Sequence, residues 1–242
     1  MDGLIGWSIG WLIGRKIVEG HPPTVPSSTM PDDTASPTPL RLQTSDGVDL
    51  EAELAVPEAP TAAVLLAHPH PLHGGSMRSL VTSELFRALP GRGLAVARFN
   101  FRGVGQSGGT HGAGVDERLD IEAGLDHLAA TFAHLPLVLA GWSFGADVAL
   151  TVPDPRLAGW FLVAPPIRIV RLEAMVAAHD PRPKLLAVPE HDEYRPPASA
   201  RDVTADWVNT RIEVVAGADH FFAGRTGTVA DLLVDFVASF SG

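Results

Sequence analysis

The sequence predicts an α/β fold in which a mostly parallel sheet of about eight strands is opened by an antiparallel hairpin and covered by helices on both faces. Three observations carry that expectation. Short β-rich apolar runs alternate with stretches of helical length along most of the chain. The first two runs are separated only by Ser45-Asp46-Gly47, a turn-forming triplet that suits a hairpin. The later runs are apolar almost throughout, as strands buried on both faces of a sheet must be.

Taken in order, the expected strands are LRLQT, VDLEAELAV, AAVLLAH, LAVARFN, LVLAG, GWFLVA, KLLAVP and RIEVVAG. Helices are expected at SLVTSELFRALPGRG, DERLDIEAGLDHLAATF and TVADLLVDFVASF, and ADVAL continues as a helix directly after LVLAG. Such alternation needs right-handed crossovers that lay helices over both faces of the sheet. A chain of 242 residues accommodates one domain of this kind and would be cramped for two. With 45% hydrophobic and only 19% charged residues, most of it has enough apolar surface to fold.

The expected organisation is a short apolar segment at 1–20, a flexible linker at 21–39 and the α/β domain at 40–242. Gly3 to Gly14 is apolar but spans 12 residues, where a membrane helix needs about 20. Asp2 precedes this run and Arg15 and Lys16 follow it, the reverse of a signal peptide's basic start. No transmembrane span is expected, and the cytoplasm is the expected compartment. Trp7 and Trp11 lie one helical turn apart, which leaves weak contact with a membrane surface open. The alternative is that translation begins at Met30 and that residues 1–29 do not belong to the mature protein. From His21 to Pro39 the composition turns to Pro, Ser and Thr, too poor in apolar surface to pack.

A formal charge of −10 repels phosphate backbones and argues against a nucleic-acid partner. The absence of cysteine removes disulfides, thiolate metal sites and a cysteine nucleophile. Hydrolytic chemistry on this chain must therefore use Ser, Asp or a metal.

Gly141-Trp142-Ser143-Phe144-Gly145 is a G-x-S-x-G sequence placed between a buried strand and a helix of small residues. A nucleophile must project from a tight strand-to-helix turn there, and only glycine avoids side-chain clashes two residues to either side. This context points to the α/β-hydrolase fold, with Ser143 as nucleophile. A serine hydroxyl also needs a base to take its proton and an acid to orient the base, in the chain order Ser, acid, His. KLLAVP ends in Glu190-His191-Asp192-Glu193; Asp192 is the chosen acid, with Glu190 and Glu193 as competitors. RIEVVAG leads to Ala218-Asp219-His220-Phe221-Phe222, and His220 is the base because no other histidine follows His191.

The sequence resembles small, capless bacterial α/β-hydrolases. The resemblance is carried by His68-Pro69-His70-Pro71-Leu72-His73-Gly74-Gly75, by Asn100-Phe101-Arg102-Gly103-Val104-Gly105-Gln106-Ser107 and by Asp219-His220-Phe221-Phe222. It covers about Leu40 to the C-terminus and implies a hydrolase, with the acid supplied by the aspartate of an E-x-D segment, here Asp192. The resemblance implies reaction class far better than substrate.

Acyl transfer needs two backbone N–H donors aimed at the tetrahedral oxygen, one following the nucleophile and one from the loop after the third strand. Phe144 supplies the first. His70 is expected to supply the second, with Leu72 as a fallback because Pro69 and Pro71 have no N–H. A metal reading of His68, His70 and His73 is disfavoured by the missing carboxylate and the rigid prolines, so no metal or other cofactor is expected. His68 is read as structural. Gly103, Gly105 and Gly108 match a dinucleotide fingerprint, but the helix it should open is postponed to about Asp116.

Only one helix's worth of chain separates GWFLVA from KLLAVP, so no cap domain is expected. Leu72, Trp142, Tyr194, Phe221 and Phe222 are the expected apolar pocket residues. The expected function is hydrolysis of a small carboxylic ester, short in its acyl part, through a Ser-Asp-His triad and an acyl-enzyme. The alternatives are a thioesterase using the same triad and a non-catalytic binding protein that keeps the fold; the oligomeric state is undetermined.

Overall fold

A computed structural model describes residues 36–241. The apolar segment at 1–20 and most of the 21–39 linker lie outside the described residues. The first strand begins at Thr38, so the expected boundary at Leu40 falls inside it.

The eight strands are β1 Thr38–Gln43, β2 Asp49–Ala55, β3 Ala62–Ala67, β4 Leu94–Phe99, β5 Leu137–Trp142, β6 Leu157–Val163, β7 Lys184–Pro189 and β8 Thr210–Val215. They form one sheet in the order β1-β2-β4-β3-β5-β6-β7-β8. The hairpin partners β1 and β2 are antiparallel, β2 is antiparallel to β4, and the remaining pairs are parallel. The chain thus folds as an α/β-hydrolase. From β3 it moves outward to β4 and then returns across β3 to β5. That reversal opens a crevice at the carboxyl ends of β3 and β5, where open α/β sheets hold their ligands.

Both faces of the sheet are covered, which is why the inner strands read as unbroken apolar runs. Helices α1 (Leu80–Ala88) and α5 (Thr226–Ala238) pack over one face, onto Val64, Leu66, Val138 and Phe161. Helices α2 (Glu117–Thr131), α3 (Phe144–Ala149) and α4 (Pro197–Val203) cover the other, onto Leu65, Leu139, Trp160 and Leu186. Successive residues of one strand serve opposite cores, as the period of two demands. At the edge, β8 is only partly buried and carries the Arg211–Glu213 ion pair, which discourages pairing with another chain.

Two stretches depart from the sequence expectation. The segment between β6 and β7 forms no full helix; it makes two 3₁₀ turns, Leu172–Ala174 and Val176–His179. Tertiary bonds take its backbone donors instead, with Ala177 N–H donating to the Leu150 carbonyl just after α3. No cap domain stands there. The short α4 has no counterpart in the expected helices; it starts on Pro197, a residue pre-set for a first helical turn.

The glycine-rich loop after β4 is built as a structural clasp. Asn100 Oδ1 accepts from Met77 N–H, and its amide donates to Glu51. Gly105, at a φ of +58°, sits where a Cβ would meet the Asn100 amide and the Glu51 carboxylate. Arg102 pairs with Asp120 at 2.7 Å and with Asp46 at 2.9 Å. The N–H groups of Arg102, Gly103, Val104, Gln106, Ser107 and Gly108 are likewise spent within the fold, and α2 does not begin until Glu117.

Candidate active site

The elbow after β5 has the backbone its sequence requires. Ser143 holds φ 54° and ψ −117°, a conformation costly for any side-chain-bearing residue. A Cβ on Gly141 would come within 2.4 Å of the Gly145 carbonyl oxygen, and one on Gly145 within 2.4 Å of the Ala67 carbonyl oxygen. Neither site admits another residue. The serine is fixed from behind as well, because its own N–H donates to the Val163 carbonyl.

Two further loops at the same sheet edge bring their side chains to it. His220 Nε2 lies 3.0 Å from Ser143 Oγ, while His220 Nδ1 lies 3.0 and 3.2 Å from the Asp192 oxygens. This geometry calls for the Nδ1–H tautomer, leaving a lone pair on Nε2 toward the hydroxyl. Asp192 is buried and accepts the N–H groups of Tyr194 and Arg195, which hold the carboxylate in place. Of the three carboxylates after β7, Asp192 alone reaches the imidazole. Glu190 instead accepts from Gly217 N–H and, with the His191 N–H to Ala218 carbonyl bond, ties the acid loop to the histidine loop. The histidine is seated by its neighbours: Trp142 Nε1–H donates to the His220 carbonyl, and the Tyr194 ring packs 4.4 Å from the imidazole, centre to centre.

The loop after β3 supplies the opposite wall. His68 is fully buried, with Nδ1 at 2.7 Å from the Pro69 carbonyl and Nε2 accepting from Phe101 N–H at 3.0 Å. Both ring nitrogens are occupied within the fold, and burial depresses its pKa to about 4. His70 Nδ1 accepts from Leu72 N–H, and the His70 carbonyl accepts from His73 and Gly75. The Leu72 donor is therefore consumed inside the loop. The N–H groups of His70 and Phe144 have no acceptor among the described residues. Burial, followed by the neighbouring His73 and His111, pushes the His70 pKa down, consistent with a neutral ring.

These walls enclose an open cavity of about 550 Å³ lined by Ser143, His220, His70, Trp142, Tyr194 and Phe221, among others. Two expected pocket residues are elsewhere. The Leu72 side chain is 70% exposed on its 3₁₀ turn and points to solvent. Phe222 is fully buried in the core beneath α5; at a φ of 54° the chain turns there, so that Phe221 faces out while Phe222 faces in. Two residues the sequence reading passed over matter here. Asp147, buried on α3, accepts the N–H groups of Ile167, Arg168 and Ile169 and so shapes the cavity wall after β6. A lone acid within a helix of small apolar residues was the available signal. Arg168 lines the cavity too, and nothing in its sequence context distinguishes it.

A parallel sheet with a strained serine elbow, hydrogen-bonded through a histidine to an aspartate, defines the class of α/β serine hydrolases. The chain belongs to the serine aminopeptidase S33 family, whose model matches residues 59–224. An uncharacterized protein of Rickettsia prowazekii (strain Madrid E) is 32% identical over 77% of this chain and 82% of its own length. An α/β serine hydrolase homologue from Coxiella burnetii is 33% identical, covering 82% of this chain and 96% of its own, with a TM-score of 0.71. A lidless α/β serine hydrolase from Xanthomonas campestris shares 26% identity over 87% of this chain and 96% of its own, with a TM-score of 0.75.

Proposed function

We propose that the protein hydrolyses small carboxylic esters through an acyl-enzyme, with Ser143 as nucleophile, His220 as base and Asp192 as the acid that orients it. The observation that carries this reading is the unbroken set of contacts from Ser143 Oγ to His220 Nε2 and from His220 Nδ1 to Asp192, each closing at 3.0 Å. As Ser143 Oγ attacks the carbonyl carbon, His220 Nε2 takes its proton, and Asp192 stabilises the resulting imidazolium. The oxyanion would be received by the free N–H groups of Phe144 and His70. The imidazolium then returns its proton to the departing alcohol, and water repeats the sequence to release the acid. Backbone strain held at Ser143 supports a catalytic over a merely structural serine.

The family's description names aminopeptidases, yet the cavity lining favours an ester over a peptide N-terminus. A free α-ammonium group is best met by a carboxylate, and among the described residues no Asp or Glu lines this cavity. An ester also demands less help to its leaving group than an amide does. The test is a fluorophosphonate label together with p-nitrophenyl acetate and butyrate hydrolysis. Wild type is expected to take the label on Ser143, and Ser143→Ala to lose turnover by about four to six orders of magnitude while keeping its fold. Undiminished hydrolysis by the purified variant would refute the serine mechanism.

A further inference from the structure

We infer that Arg168 is a specificity residue that selects esters bearing a carboxylate on the acyl or the alcohol part. The inference rests on the esterase reading above and names the substrate class of the same cavity.

The chain as a whole is acidic, with 28 Asp and Glu against 18 Lys and Arg, so an anion approaches it against the mean field. The active-site cavity inverts that balance. Among the described residues its titratable lining consists of His70, His73, Tyr194, His220 and Arg168, with no carboxylate. Arg168 is the one permanent cation of that lining among the described residues. Its guanidinium lies over the Tyr194 ring, 5.5 Å from the ring centre, and Tyr194 in turn packs on His220. A planar group supported on an aromatic face keeps its N–H edge free for a bidentate carboxylate.

Neighbouring Arg195 shows what a structural arginine looks like at this site. Its three nitrogens donate to the Pro166 carbonyl, the Ile167 carbonyl and Ser199 Oγ, so it is spent on building the loop. Among the described residues, by contrast, the Arg168 side chain meets no acid and no hydrogen-bond acceptor. The backbone beneath it is held at some cost. Ala164 and Ile167 stand at φ 43° and 50°, rare for any side chain and rarer for a β-branched one, and buried Asp147 grips all three N–H groups of 167–169. A strained, firmly gripped loop that presents a cation with no partner among the described residues, to a cavity whose described lining holds no acid, is a built anion subsite.

The test compares kcat/KM on mono-p-nitrophenyl glutarate, with its carboxylate on the acyl side, and on 4-carboxyphenyl butyrate, with it on the alcohol side. Each is set against its neutral counterpart, p-nitrophenyl butyrate or phenyl butyrate. The anionic-to-neutral ratio is expected to fall about tenfold in Arg168→Gln for one of the two pairs, chiefly through KM, since binding through a remote charge is uniform in ground and transition states. Arg168→Lys should restore part of the ratio and Arg168→Glu should lower it beyond Gln. About 0.5 M NaCl should shrink the differences, a charge signature that loss of Tyr194 support alone would not give. Ratios unchanged by Gln and Glu for both pairs overturn the proposal while leaving ester hydrolysis intact. A wild-type protein that turns over none of the four esters and takes no fluorophosphonate overturns the hydrolase reading, and this one with it.

Discussion

The division of labour among neighbouring acids turns on reach. Asp192 and Glu190 leave β7 two residues apart, but the shorter side chain is capped by its own loop and meets the imidazole, whereas the longer one closes the Gly217 turn. Asp192→Asn should therefore lower turnover by up to about ten-thousandfold by favouring the wrong His220 tautomer, while Glu190→Gln should cost far less. Steady-state rates on p-nitrophenyl butyrate decide between them, and greater damage from Glu190→Gln would overturn the assignment. His68 lends itself to a pH experiment. Its pKa is held at about 4 in the fold, below its ordinary 6.5, because burial penalises the charged ring. Between those values the unfolded chain binds a proton that the native state refuses, so the neutral ring's contribution is intact above pH 6.5 and fades as pH falls toward 4. The loss amounts to about 3 kcal/mol. Asp120 works in the opposite sense, since burial raises its pKa to about 6 and the native state takes that proton first. The measurement is thus a difference: urea unfolding of wild type should lose more stability from pH 7 to 4.5 than that of His68→Gln, which has no ring to titrate.

At the scale of elements, the connection after β6 concentrates the most consequence on one side chain. Asp147 lies on α3, one turn beyond Ser143, and its two oxygens receive three consecutive N–H groups from 167–169. Burial alone raises its pKa, and those donors pull it back. Asp147→Ala strands the donors and should cost about 3 kcal/mol, with a Tm fall of roughly 10 °C by thermal unfolding, and Asp147→Asn should cost less because one carbonyl oxygen remains. Equal stability of all three proteins would show that the loop holds itself. The same region marks where the sequence was least legible. Strands buried on both faces announce themselves by unbroken apolar runs, and the elbow by glycines that no other residue can replace. The stretch from Pro165 to Pro183 carries helical composition, yet its donors are taken by Asp147 and Leu150, partners remote in sequence that no local pattern reveals. Phe222 was misplaced for a related reason: alternation fails in a tight turn, and a positive φ sends adjacent aromatics to opposite sides.

For the whole molecule, the order of strands decides what shape of substrate the proposed esterase site can take. Because β3 and β5 are adjacent and run parallel, the loop after β3, the elbow and the histidine loop meet over one crevice at the sheet's carboxyl edge, and the connection most available for a lid contributes only two 3₁₀ turns. The resulting cavity is about 550 Å³ and open to solvent, so a long acyl chain laid in it would keep much of its length against water. Each methylene withdrawn from water contributes about 0.8 kcal/mol, nearly fourfold in kcat/KM, for as long as there is wall to cover it. On a p-nitrophenyl ester series, kcat/KM should accordingly climb over the first few carbons and level off near butyrate, because later methylenes leave the crevice and remain hydrated. Long chains gain nothing further without a surface to close over them. A rise that continued through decanoate to palmitate would require a deep acyl channel that these walls do not enclose, and would move the substrate class to long-chain lipids or acyl thioesters.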